Sequence, residues 1–145
     1  MPARWAYVDT SVLVKRYIKE EGSPGARNLL RRYRFLSSAI TPLEALSALS
    51  RRRTVGDLSE RDFLAIRARM QRDRTYWELV ELSPLVLSRA EELIQKTRLR
   101  TLDAVHVASA MIFQTASGLT IPVITADAQQ RVAAEDLALT VIWVG

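Results

Sequence analysis

Short apolar runs alternate along the chain with longer segments in which apolar positions recur at helical spacing. The runs at 4–8, 35–39, 78–82, 122–125 and 140–144 read as strands. The segments between them read as helices, and this alternation is that of an α/β domain with a mainly parallel sheet. Punctuation marks the helix starts: Ser23 with Pro24 before 26–32, Thr41 with Pro42 before 43–52, and Asp57 or Ser59 before 60–75. Ser83 with Pro84 opens 85–97, Thr101 opens 102–116, and Gly118 supplies a stop. The helix from 102 is apolar nearly all round, so it packs on more than one side. No internal repeat, low-complexity tract or linker divides the chain, and 1–145 reads as a single domain.

Composition narrows this further. With 145 residues, 48% of them apolar, the chain suffices for one core and is too short for two comfortable ones. Cysteine is absent, which excludes disulfides and thiolate metal sites. The longest apolar stretch, 104–113, contains His106 and is too short to span a bilayer, and the start lacks the pattern of a signal peptide. The expectation is a soluble, cytoplasmic protein with no membrane partner. Lys plus Arg number 21 against 16 Asp plus Glu, a formal charge of +5, carried nearly all by arginine. That balance suits a polyanion partner, and equally a surface charged for solubility, so charge alone does not choose the function.

Most acids sit among other charges, as a solvated helix face requires, but four do not. Asp9 ends the first strand, Glu44 lies in the first turn after the second, Asp103 starts the apolar helix, and Asp127 follows the fourth strand. Each has an ordinary structural explanation. Asp9 and Asp127 could cap the helices that follow, Thr41 with Glu44 fits a capping box, and Asp103 suits a helix dipole. Jointly, however, three of the four fall at or just past the carboxyl end of a parallel strand, the edge where open α/β sheets bind ligands. Carboxylates converging there repel one another unless a cation neutralises them. All-oxygen donors select a hard ion, Mg2+ or Mn2+, and such ions support phosphodiester cleavage.

The pieces "YVDTSVLVKRY", "TPLEALSALSR", "RTLDAVHVASA" and "VITADAQQ" occur in the order and spacing of one family, over essentially the whole chain. In these pieces the chain resembles a PIN domain, and most closely a VapC-type ribonuclease toxin of a toxin-antitoxin pair. The resemblance implies a three-layer α/β/α sandwich around the parallel sheet. It implies a Mg2+- or Mn2+-dependent endoribonuclease with catalytic, metal-holding acids at Asp9, Glu44, Asp103 and Asp127, supported by the hydroxyls of Ser11 and Thr125. It also implies an RNA substrate, an antitoxin protein that occupies the acidic crevice, and a homodimer. On this reading Asp9 and Asp103 hold the principal ion, Asp127 completes the site or binds a second ion, and Glu44 binds metal or orients the attacking water.

Other classes fit less well. A haloacid-dehalogenase-like phosphatase needs a second Asp where Ser11 stands, and a receiver domain needs an Asp after the third strand, where "WELVELSP" has none. A P-loop and a Gly-rich dinucleotide turn are both missing. The remaining alternative is a non-cleaving module on the same fold that binds RNA or protein. Arg16, Arg51 and Arg100 are candidates for gripping phosphates because each lies within about two helical turns of an acid. The arginines between Arg67 and Arg74 fall around a solvated helix without forming a stripe. His106 shares a helical stripe with Asp103 and reads as a packed residue with one hydrogen bond. Leu43, Leu46, Leu49, Phe63, Ile66 and Met70 read as core, or as a face for a second copy or for an antitoxin.

Overall fold

A computed structural model describes residues 4–145; residues 1–3, which the reading of a single domain over 1–145 and of the chain's start includes, lie outside the described residues. Five strands are observed: β1 (Arg4–Val8), β2 (Tyr33–Ser38), β3 (Glu78–Val80), β4 (Val123–Thr125) and β5 (Val141–Trp143). Seven helices join them among the described residues: α1 (Thr10–Tyr17), α2 (Ser23–Arg32), α3 (Thr41–Thr54), α4 (Glu60–Asp73), α5 (Pro84–Lys96), α6 (Thr101–Ser117) and α7 (Ala128–Asp136). The sheet is wholly parallel, in the order β3-β2-β1-β4-β5. The chain therefore winds outward from β1 to β3, then crosses back to lay β4 against the other side of β1. That reversal makes the carboxyl ends of β1 and β4 a topological switch point, where neighbouring loops part and leave a crevice.

Side-chain alternation divides the core into two layers. Ala6 and Val8 of β1 and Phe35 of β2 face Leu13, Ala26, Leu49 and Phe63 of α1 to α4. Tyr7 and Leu36, one residue out of phase, pack on Ala110 of α6 on the other face. α5, α6 and α7 then close a third cluster around Val86, Leu93, Val107 and Ala133. The α/β/α sandwich thus follows from sheet periodicity, with helices on both faces as parallel strands require. Leu49, almost fully buried, fixes the helix that carries Glu44, and burying one leucine contributes about 2 kcal/mol. Leu49, Phe63, Ile66 and Met70 are core residues, Leu46 packs partly against them, and Leu43 is exposed.

Several helix ends differ from the sequence expectation for local reasons. Gly22, at φ 84°, is the N-cap of α2. Ser23 instead closes the preceding turn, donating to the Ile18 carbonyl and accepting from the Glu20 N–H. α3 begins without a side-chain cap, so the capping box of Thr41 and Glu44 does not form. Thr41 hydrogen-bonds Ser37 at 2.6 Å, and Ser37 donates to the Val8 carbonyl, tying the start of α3 to the ends of β2 and β1. The strand expected over 78–82 stops at Val80. Ser59 and Ser83 cap α4 and α5, and Gly118, at φ 72°, ends α6. No helix among the described residues is long and apolar enough to cross a membrane.

Candidate active site

Asp9 is the buried centre of the crevice, 1% exposed. It ends β1 and caps α1, accepting from the Val12 N–H at 3.2 Å. Its cap oxygen also accepts from the Ser11 hydroxyl at 2.5 Å, and its other oxygen accepts from the Thr125 hydroxyl at the end of β4. Both hydroxyls have a second use: Ser11 accepts from the Ala126 N–H at 3.2 Å and Thr125 from the Asp127 N–H at 3.0 Å. The cap and the cluster are therefore one arrangement, with Asp9 holding β1, α1 and the loop after β4 together. Burial pushes its carboxyl up from the ordinary aspartate range, against the pull of His106 and of the Ser11, Thr125 and Val12 hydrogen bonds.

The other three acids come from separate elements. Asp103, in the first turn of α6, accepts from the Gln130 side-chain N–H at 3.0 Å. Partial burial raises its carboxyl; the Gln130 bond and His106 oppose this, while the charges of Asp127 and Glu44 add to it. Asp127 caps α7 with bonds from the Gln129 and Gln130 N–H groups at 2.8 and 3.1 Å. Glu44, one turn into α3, accepts from the Thr10 hydroxyl at 2.7 Å and from His106 Nε2 at 2.6 Å. Half-burial alone would raise its carboxyl, but the bond and charge of His106, helped by Thr10, outweigh this and hold it below the ordinary glutamate range.

Two residues enter the cluster that the sequence reading did not assign to it. His106 is nearly fully buried, and both ring nitrogens have partners: Nε2 meets Glu44, with Thr10 at 3.3 Å, and Nδ1 lies 2.8 Å from the Tyr7 hydroxyl. Nε2–H donates to the Glu44 carboxylate, and Nδ1 is hydrogen-bonded to the Tyr7 hydroxyl. The expectation of one hydrogen bond is corrected to a relay from β1 through α6 to α3. Gln130 is buried, donates to Asp103 and leaves its carbonyl oxygen with no partner. Its signal was a polar residue in step with buried Ala133 and Ala134 of α7. For His106 the signal was its place one turn beyond Asp103.

Beside the cluster, a groove of about 500 Å³ runs between α1 and α3. Thr10, Ser11 and Lys15 line one wall, Glu44, Ser47 and Arg51 the other, and Leu102 and Ala126 its end. Arg51 bonds Ser47 at 3.2 Å and is exposed to the groove. Arg16, by contrast, pairs with Asp73 at 3.7 Å, and Arg100 is an exposed N-cap residue three positions before Asp103. A larger concavity, about 680 Å³, lies at the opposite edge of the sheet around Trp5, Arg34, Pro122 and Thr140, and no carboxylate lines it.

The donor set suits a hard cation by type. Its donors are carboxylates, Asp103 is raised partly by like charge, and the free Gln130 oxygen beside it asks for a donor or a cation. No three carboxylate or imidazole groups among the described residues are gathered closely enough to hold an ion by themselves. A magnesium-like ion, which keeps waters and takes one or two carboxylates together with substrate phosphate, tolerates that spacing.

Comparison with known proteins agrees with this fold. The profile of the PIN domain family matches residues 6–136, and the chain belongs to the PIN domain family. Among solved structures it is similar to FitAcB from Neisseria gonorrhoeae, at 16% identity over 94% of this chain and 96% of that one, TM-score 0.68. It is similar to VapC20 of Mycobacterium tuberculosis, described as a sarcin-ricin loop cleaving toxin, at 17% identity over 88% and 94%, TM-score 0.66. A toxin-antitoxin complex from Klebsiella pneumoniae aligns at 17% identity over 86% and 88%, TM-score 0.65. No curated protein matches it in sequence.

Proposed function

We propose that this protein is a metal-dependent endoribonuclease, the toxin of a toxin-antitoxin pair acting in the cytoplasm. The observation that carries the reading is the buried Asp9 carboxylate at the β1/β4 switch point, held by Ser11 and Thr125, together with Asp103, which feels the charges of Asp127 and Glu44. Membership in the PIN family and likeness to toxin structures support it.

Asp9 and Asp103 would hold a Mg2+ or Mn2+ ion, and Asp127 adds to the negative charge that draws the ion in. When bound, the ion lowers the pKa of water and offsets charge on the scissile phosphate. Ser11 and Thr125 keep the Asp9 oxygens fixed, so that little reorganisation is needed when substrate arrives. Gln130 does the same for Asp103. Glu44, kept ionised by His106 and Thr10, accepts a hydrogen bond from the attacking water and aims it in line. Water adds to phosphorus, the bond to O3′ breaks, and O3′ takes up a proton, leaving a 5′-phosphate and a 3′-hydroxyl. The groove between α1 and α3 receives the strand, with Arg51 facing its phosphates.

An antitoxin covering this crevice, and a homodimer, belong to the same reading. The test is incubation of the partner-free protein with structured and single-stranded RNA in Mg2+, Mn2+ or EDTA, beside Asp9→Asn. Cleavage that requires the metal and is lost in the variant supports the reading. RNA that is bound but uncut in every metal would replace it with a binding module, and a 2′,3′-cyclic phosphate product would overturn the water-attack mechanism.

A further inference from the structure

Away from the acidic crevice, three helices bring four guanidinium groups to one small concavity. Arg16 of α1, Arg27 and Arg31 of α2, and Arg69 of α4 line a hollow of about 140 Å³, the scale of a single tetrahedral anion. One carboxylate, Asp73, is all that lies within ion-pairing distance of the four among the described residues, and it takes Arg16. The others are placed by contacts that leave their charge unanswered. Arg69 lies over the Tyr17 ring at 5.3 Å, and the hydroxyl of that ring donates to Asp73. Arg27 donates through Nε to the Arg16 carbonyl at 3.3 Å, which leaves its outer nitrogens free. Arg31 follows Arg27 by one helical turn, a like-charged spacing that weakens a helix.

Such a grouping costs stability unless an anion enters it, and a guanidinium fork matches phosphate oxygens in pairs. We propose that Arg27, Arg31 and Arg69, with Arg16, form a cradle for a backbone phosphate of the RNA substrate, outside the cleavage groove. The position fits. α1 carries Asp9 at one end and Arg16 near the other, about 10 Å along its axis, so a strand seated at Asp9 reaches the cradle within a few nucleotides. The cradle reads no base, and its role is to set the register of a longer substrate. This inference rests on the RNA-substrate reading above.

The experiment uses Asp9→Asn protein, in which RNA stays intact, and fluorescence anisotropy with a labelled single-stranded RNA of about twelve nucleotides. Adding R31Q and R69Q should weaken binding several-fold at low salt and make the slope of log affinity against log salt shallower by about 0.7 for each phosphate that is no longer neutralised. R31K with R69K should keep most of that slope, since charge is retained. Both arginines are exposed and the change relieves like-charge repulsion, so the double variant is expected to melt at or above its parent's temperature; if it melts lower, R31Q alone gives the same readout. An unchanged affinity and slope in the glutamine variant overturns the cradle. Cleavage by the wild type together with that result would defeat the cradle and leave the nuclease standing. A reduced slope, with no cleavage by the wild type in any metal, would defeat the nuclease and leave the cradle.

Discussion

The Thr125 hydroxyl donates to the Asp9 carboxylate across 116 residues of sequence, joining the ends of two neighbouring parallel strands. Val replaces Thr at nearly the same volume but cannot donate. Thr125→Val should therefore leave one buried carboxylate oxygen without this bond, at a cost of about 1–3 kcal/mol in stability. Asp9, already raised by burial, should rise further. The acidic limb of a cleavage pH profile should move to higher pH, and a denaturant melt should show the stability loss.

Asp9→Asn separates capping from catalysis. Asn caps a helix about as well as Asp, so the fold should persist by circular dichroism while metal-dependent RNA cleavage disappears. Full activity in this variant would remove Asp9 from the site.

The same variant gives a pH test. The folded-state carboxyls of Asp9 and Asp103 are raised above their unfolded values. Their stabilising contribution is complete below the ordinary aspartate value and is lost as pH rises through the raised one. Glu44 runs the other way: its contribution is present above the ordinary glutamate value and is lost as pH falls through the lowered one. In EDTA, the melting temperature of Asp9→Asn should gain on that of the wild type as pH rises above the ordinary aspartate value, because one buried charge is gone. Added Mn2+ should narrow the gap at the upper end. A gap that is flat with pH and indifferent to Mn2+ would contradict a buried ligand carboxylate.

His106→Ala removes the partner of both Tyr7 and Glu44. The orphaned Tyr7 hydroxyl and the poorer packing should cost about 2–4 kcal/mol. Glu44, losing the charge and bond that hold it down, should titrate higher. Cleavage should fall mainly in kcat, since the substrate groove is lined by other residues.

Gln130→Leu keeps the bulk in the core but releases Asp103 and removes the free carbonyl oxygen. The fold should hold, while the Mn2+ concentration needed for half-maximal cleavage should rise about 10–100-fold, the usual consequence of losing a residue that orients a metal ligand. An unchanged metal titration would give Gln130 a packing role only.

Chain order and local chemistry were enough to place five strands, their parallel sense and all four acids at strand or helix ends, because periodicity and cap residues act over a few positions. They could not separate cap from ligand at Asp9, since a carboxylate at a helix start does both, and the structure shows the cap bond and the Thr125 bond on the same group. For Glu44, whose spacing from Thr41 fits a capping box, they left cap and site residue both open. Only the packing of α6 against the sheet brings His106 to it, while the buried Thr41 hydroxyl bonds Ser37 instead of capping α3. Gln130 beside Asp103 and the arginines of α1, α2 and α4 around one hollow are likewise encounters between elements far apart in the chain. Local pattern set the elements and the donor chemistry; which side chains meet was decided by the crossover that returns β4 to β1, because long-range contacts depend on how layers stack rather than on any few neighbouring residues.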